Sequence, residues 1–166
     1  GKYFVMFFRE VDKSATGDQI PDATVNMDSK HQAYGAMTET FKIMAADGIE
    51  PINIIDVHGD IGDENAHNRE DGFRQALEEF GWGDKVAQVV DTGHWEPEVA
   101  LKNTASALQA HPDSNCVYVA TDGLLSAIQT ALENTGKWAP RGDPNHVYIG
   151  GTDMYPYGIQ LTIDKY

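Results

Sequence analysis

Apolar residues along this chain fall in short runs, each followed by a polar turn and then by apolar positions at three- and four-residue steps. The clearest unit is an apolar strand over Pro51–Val57, a loop through Asp63, and a helix to about Phe80 whose inward face is Ala66, Phe73, Ala76, Leu77 and Phe80. Gly81-Trp82-Gly83 closes it. Val86–Val90 follows as a strand, with a loop over Asp91–Trp95. Pro97 then sits at a helix start, where a missing amide proton costs nothing. Val99, Ala100, Ala107, Leu108 and Ala110 carry that helix to His111-Pro112. A third unit runs from Cys116–Ala120 through Thr121-Asp122-Gly123 into a helix over Leu124–Asn134. The fourth strand, His146–Ile149, ends in Gly150-Gly151-Thr152-Asp153.

Ahead of these units, Tyr3–Phe8 has the aromatic and β-branched content of a buried strand. Arg9–Asp22 reads as a surface loop and Thr24–Met27 as a short strand. A helix follows from about Lys30 to Ala46, capped by Asp28 or Ser29 and ended by Asp47-Gly48. Trp138–Pro144 is a polar turn region, and the chain stops shortly after the polar loop that follows the fourth strand, with Tyr155-Pro156 beyond Asp153 giving only a weak helix start. Short strands alternating with longer helices predict an α/β fold, a three-layer α/β/α sandwich with a mainly parallel sheet and no domain linker. In such a sheet the strand exits lie along one edge. Here they are Asp56–Gly62, Asp91–Trp95, Thr121–Asp122 and Gly151–Asp153, polar segments placed where a small polar ligand would bind.

The totals narrow the function. At 166 residues the chain has the size of one domain. Its 12 basic and 26 acidic residues leave a net charge of -14, and there is no basic stripe, so nucleic acid would be repelled. Anionic membrane surfaces are disfavoured in the same way, and no apolar run is long enough to predict membrane insertion. Cys116 stands alone in an apolar run and reads as a buried structural thiol. Both ends look cut, so targeting signals would lie outside the chain.

Among the edge residues, Asn65 and Arg69 are four apart and share a helix face. An arginine fork there can hold two hydroxyls or a carboxylate; it can equally form a surface salt bridge with Glu70, Asp71 or another acid, and Asn65 can be a cap. Trp95 can pack over the domain edge, or offer its ring to the apolar face of a sugar. Asp122 and Asp153 each follow a strand directly and can either accept hydroxyls or cap a helix. Arg9 ends the first strand at the same edge. Two arginines among carboxylates suit an uncharged, polyhydroxylated ligand. Trp82 and Trp138 read as packing residues.

Enzymatic readings lack their motifs. Gly59-Asp60-Ile61-Gly62 does not have GxGxxG spacing, and neither a Walker lysine nor a GxSxG elbow is present. Asp60 and Asp63 with His58 and His67 make a chelate on paper, but the spacing fits no metal motif, so the histidines read as solvated loop residues. No cofactor, metal or catalytic residue is expected.

The order of these residues resembles the C-terminal lobe of a type I periplasmic sugar-binding protein of the galactose/glucose- and ribose-binding kind, within the superfamily that includes LacI-type effector domains. The likeness spans nearly the whole chain. It is carried by Val5–Arg9, Asp28-Ser29-Lys30 with Gly35, Gly59 through Arg69 with Asp71-Gly72-Phe73, Trp95, Thr121-Asp122-Gly123 and Val147–Asp153. The resemblance implies ligand contacts at Arg9, Asp63, Asn65, Arg69, Trp95, Thr121, Asp122 and Asp153, with Trp95 as the stacking ring. It also implies a monosaccharide or polyol ligand, a missing N-terminal lobe, an ABC transporter permease as partner, and a periplasmic or extracellular, lipid-anchored parent. A repressor effector domain or a sugar sensor is the alternative. Thr121 departs from the family's asparagine, the calcium loop is absent, and the chain stops before the family's last strand.

Overall fold

The structure, a computed structural model, describes residues 2–8 and 20–166. A four-stranded parallel sheet has the order β4-β3-β5-β6, with β3 Ile54–Gly59, β4 Val86–Asp91, β5 Cys116–Val119 and β6 Tyr148–Gly151. Its two sides follow from period-2 alternation. Ile54, Cys116 and Tyr118 face a core with Met37, Phe41, Phe73 and Leu77, contributed by helices α1 (Ser29–Ala46) and α2 (Glu64–Phe80). Ile55, Val57, Val117 and Val119 face the opposite core, with Ala100, Leu108, Ile128 and Leu132 of α3 (Pro97–Ala110) and α4 (Leu125–Asn134). The expected three-layer α/β/α sandwich is thus formed. Cys116 is fully buried, and burial pushes its thiol up to about 12.

Local signals set the helix ends. The Asp28 carboxylate accepts from the His31 amide at 2.8 Å, so Asp28 rather than Ser29 is the cap of α1, and Ser29 is buried in the first turn. Gly81, at φ 73°, takes the left-handed conformation that stops α2. Gly72 lies where α1 and α2 cross; a Cβ there would overlap the Lys30 carbonyl.

Several expectations change. Strand β3 starts at Ile54 because Asn53 has φ 47° and breaks the extended run, and it continues to Gly59. Asp56 is therefore not at a strand exit but inside the strand and fully buried. Strand β6 is likewise shifted to Tyr148–Gly151, where Gly150 pairs with Tyr118 and a Cβ would strike the Met37 sulfur. After the Gly151–Asp153 exit the chain forms a last helix, Pro156–Asp164 (α5), that the sequence pattern does not predict. Tyr3–Phe8 does not form a buried strand. Val5–Phe7 (β1) pairs in parallel with Ala23–Val25 (β2) in a separate two-stranded sheet, and Phe7 is 73% exposed, because among the described residues no helix layer covers this ribbon.

Candidate ligand-binding site

The carboxyl ends of the four-stranded sheet open into a depression of about 270 Å³. Asp63, Asn65, Arg69, Trp95, Thr121 and Asp153 all line it, together with Phe8, Pro97, Gly123, Leu124 and Tyr155. Arg9 lies outside the described residues.

Helix α2 supplies three of the side chains from its first turns. Asp63 caps the helix, its Oδ1 accepting from the Asn65 amide at 3.0 Å, and its Oδ2 accepts from the Trp95 indole Nε1 at 3.1 Å. One carboxylate thereby fixes both a helix end and the ring. The six-membered part of that ring lies directly over Gly59, where a Cβ would overlap it. Gly59 also has φ 95°, so two separate constraints favour glycine. Trp95 itself has φ 62°, a conformation that non-glycine residues seldom adopt.

Asn65 is buried and joins three segments: its Nδ2 donates to the Phe8 carbonyl at 3.4 Å, and its Oδ1 accepts from Ser29 Oγ at 3.3 Å. Arg69, one turn further, is buried as well. Its Nη2 donates to Asp153 Oδ1 at 2.5 Å and to Gln32 Oε1 at 3.5 Å, while its Nε is buried without a hydrogen-bond partner. Arg69 does form a salt bridge with an acid, but the acid is Asp153, 84 residues away in sequence, rather than neighbouring Glu70 or Asp71, and the pair is buried rather than on the surface. Asp153 reaches it from the end of β6 with φ 85°, and Met154 follows at φ 59°. Left-handed non-glycine residues thus stand at both the tryptophan and the aspartate.

Thr121 starts a 3₁₀ turn, Asp122–Leu124, and accepts from the Gly123 amide at 3.2 Å. The adjacent Asp122 does not line the depression. Its Oδ2 accepts from the Tyr155 amide at 2.6 Å, and it packs against Gly158, where a Cβ would overlap the carboxylate. Burial pushes its carboxyl up. Asp122 therefore fastens the start of α5 and with it the ring of Tyr155, which lines the depression. Tyr155 was not singled out from the sequence; the Tyr155-Pro156 pair at a helix start was its only signal.

The paper chelate does not assemble. The rings of His58 and His67 meet at 5.4 Å, but His58 is buried in β3 rather than solvated in a loop. Asp60 instead pairs with exposed His94 at 3.0 Å, which lowers the Asp60 carboxyl, behind the Gly62 amide, and raises the His94 imidazole. Trp82 packs on Phe41 and Phe80, and Trp138 stacks on Tyr166. A larger cavity of about 670 Å³ lies on the opposite edge, near the start of β6, lined among others by Asp47, Arg141, His146, Tyr148 and Lys165. Its Asp47 carboxylate is already engaged, accepting two hydrogen bonds from Arg141 and one from Tyr148.

A parallel α/β layer with a buried arginine–aspartate pair and a tethered tryptophan at its carboxyl edge has the features of a small-ligand-binding domain. The chain belongs to the periplasmic binding protein domain family, whose profile matches residues 21–166. It is similar to an ABC transporter periplasmic solute binding protein from Actinobacillus succinogenes 130z solved with bound D-allose, at 25% identity and TM-score 0.74 over 95% of this chain and 52% of that one. A Mycobacterium smegmatis protein in complex with beta-D-fucofuranose shares the fold at 19% identity and TM-score 0.78, over 97% of this chain and 50% of that one. So does the Escherichia coli transcriptional repressor ascG, at 17% identity and TM-score 0.64, over 95% and 51%. The chain spans about half the length of these structures. No curated protein gave a sequence match.

Proposed function

We propose that the chain is the C-terminal lobe of a two-lobe receptor for a monosaccharide or related polyol. The observation that carries this reading is the meeting of Arg69, Asp153, Asp63, Asn65, Thr121 and Trp95 in one depression at the strand exits. At about 270 Å³ the depression is slightly below the usual range of roughly 300–1,000 Å³ for a small-molecule pocket, as one wall of a two-walled cleft would be. The Trp95 ring covers an apolar sugar face, and the Arg69–Asp153 pair offers hydroxyls a donor and an acceptor that are already oriented. Asp122 acts one step removed, by holding Tyr155 at the rim. Arg9, outside the described residues, is a further ligand contact that the family resemblance implies. Closure of a second lobe expels water, so these bonds count fully.

The receptor is not an enzyme. It delivers its ligand to an ABC transporter permease from a periplasmic or extracellular, lipid-anchored position. The D-allose bound to the 25%-identical solute binding protein supports the ligand class. The fold shared with a transcriptional repressor keeps an effector-domain role as the second reading. Calorimetry of a protein carrying both lobes against a panel of aldoses, ketoses and cyclic polyols tests the proposal. Saturable binding of a neutral sugar is expected; no heat from any member of the panel overturns it.

A further inference from the structure

A second polar cluster occupies the sheet face beneath α2. Asp56 and His58, two apart on β3, point to the same side. Glu70 and Arg74, one turn apart on α2, come down onto them. Arg74 Nε donates to Glu70 Oε1 at 2.5 Å and its Nη2 to Asp56 Oδ2 at 3.2 Å, while His58 Nδ1 lies 3.4 Å from Glu70 Oε2. Ligand atoms of Asp56, His58 and Glu70 all fall within 4.8 Å of one another.

Two features set this cluster apart from an ordinary salt-bridge network. Asp56 is fully buried, yet its Oδ1 has no hydrogen-bond partner. Such an orphaned carboxylate oxygen is costly inside a protein. The ligand count is also uneven: two carboxylates and an imidazole converge on one another, and only one guanidinium stands against them. Tyr118, opposite Asp56 on β5, also buries its hydroxyl without a hydrogen-bond partner.

We infer that Asp56, His58 and Glu70 form a binding site for a divalent transition-metal cation of the zinc type, competing with the Arg74 guanidinium for the same carboxylates. One imidazole nitrogen with two carboxylate oxygens suits zinc, whereas magnesium and calcium favour oxygen ligands alone. Arg74 is the member free to leave, its side chain being 35% exposed against none for Asp56 and 8% for His58. Closing the donors to bonds of about 2.0–2.2 Å falls chiefly to Glu70, whose side chain is the least confined of the three at 18% exposed.

The inference does not rest on sugar binding, and its test contains no sugar. Metal-stripped protein is titrated with zinc by calorimetry at pH 7 in a non-coordinating buffer, and far-UV circular dichroism checks the fold of each variant. The expected result is one zinc bound per chain, weakened roughly tenfold or more by His58→Gln and by Glu70→Gln and strengthened by Arg74→Ala. Exposed histidines such as His94 would take up zinc without regard to these changes. Should His58→Gln fail to fold, Glu70→Gln and Arg74→Ala, on the partly exposed helix side, still decide. No zinc uptake, uptake indifferent to these ligand substitutions, or uptake weakened by Arg74→Ala overturns the inference.

Discussion

Asp153→Asn is the sharpest perturbation of the proposed cleft wall. The Arg69 side chain is 4% exposed and that of Asp153 16%, and their 2.5 Å contact is the carboxylate partner of that guanidinium. Asparagine keeps the shape and an acceptor oxygen but removes the charge. Losing one member of a buried ion pair costs about 3–5 kcal/mol, because the other charge stays in place. Partial hydration of this pair and the remaining Gln32 acceptor at 3.5 Å reduce the expected loss to about 2–3 kcal/mol. For a chain of this size that lowers Tm by roughly 4–12 °C. Urea unfolding of wild type, Asp153→Asn, Arg69→Met and the double variant measures it. The double variant should lose less than the two single losses summed, with a coupling of about 1–3 kcal/mol. Asp153→Asn within about 0.5 kcal/mol of wild type, with additive losses in the double variant, would refute the claim that this pair is buried and mutually dependent.

Gly72→Ala sets a Cβ against the Lys30 carbonyl at the α1–α2 crossing, and a loss of about 1–3 kcal/mol is expected in the same unfolding assay; an unchanged midpoint would mean the helices do not cross this closely. Gly59→Ala should displace the Trp95 ring and shift tryptophan emission while leaving the helical circular dichroism intact. An unmoved emission spectrum would argue against the ring's resting place. Hydrogen bonds from Arg141, and then from Tyr148, hold the Asp47 carboxyl down at about 2. A depressed carboxylate stabilises the fold fully above its unfolded value of about 4, and that contribution fades as pH falls through about 2. Arg141→Gln should therefore flatten the loss of stability between pH 4 and 2, and parallel curves for variant and wild type would exclude the pairing.

The four strand–helix units are readable in the sequence because alternation and capping act locally. Ile55 and Val57 face one core while Ile54 faces the other, and Asp63 and Gly81 mark the ends of α2. Helix α5 leaves no such mark. None of its residues is buried, so no apolar stripe betrays it, and its start depends on Asp122 holding a backbone amide 33 residues away. Asp56 misleads for a related reason: a carboxylate ends an apolar run on paper, and its partners Glu70 and Arg74 become visible only when α2 folds back over β3. Most of the edge residues could be named singly, since each follows a strand or opens a helix. That Arg69 binds Asp153 across 84 residues is a tertiary fact that no spacing rule contains. Asp122 differs from its neighbour Thr121 because the 3₁₀ turn places the two side chains on different depressions.

A crystal structure of a protein carrying both lobes, grown with the monosaccharide that calorimetry selects, tests the central claim most directly. The sugar should lie against the Trp95 ring, with hydroxyls at about 2.7–3.2 Å from Arg69 and Asp153. A sugar bound away from this edge, for instance in the Asp47–Arg141 cavity at the other end of the sheet, would contradict it.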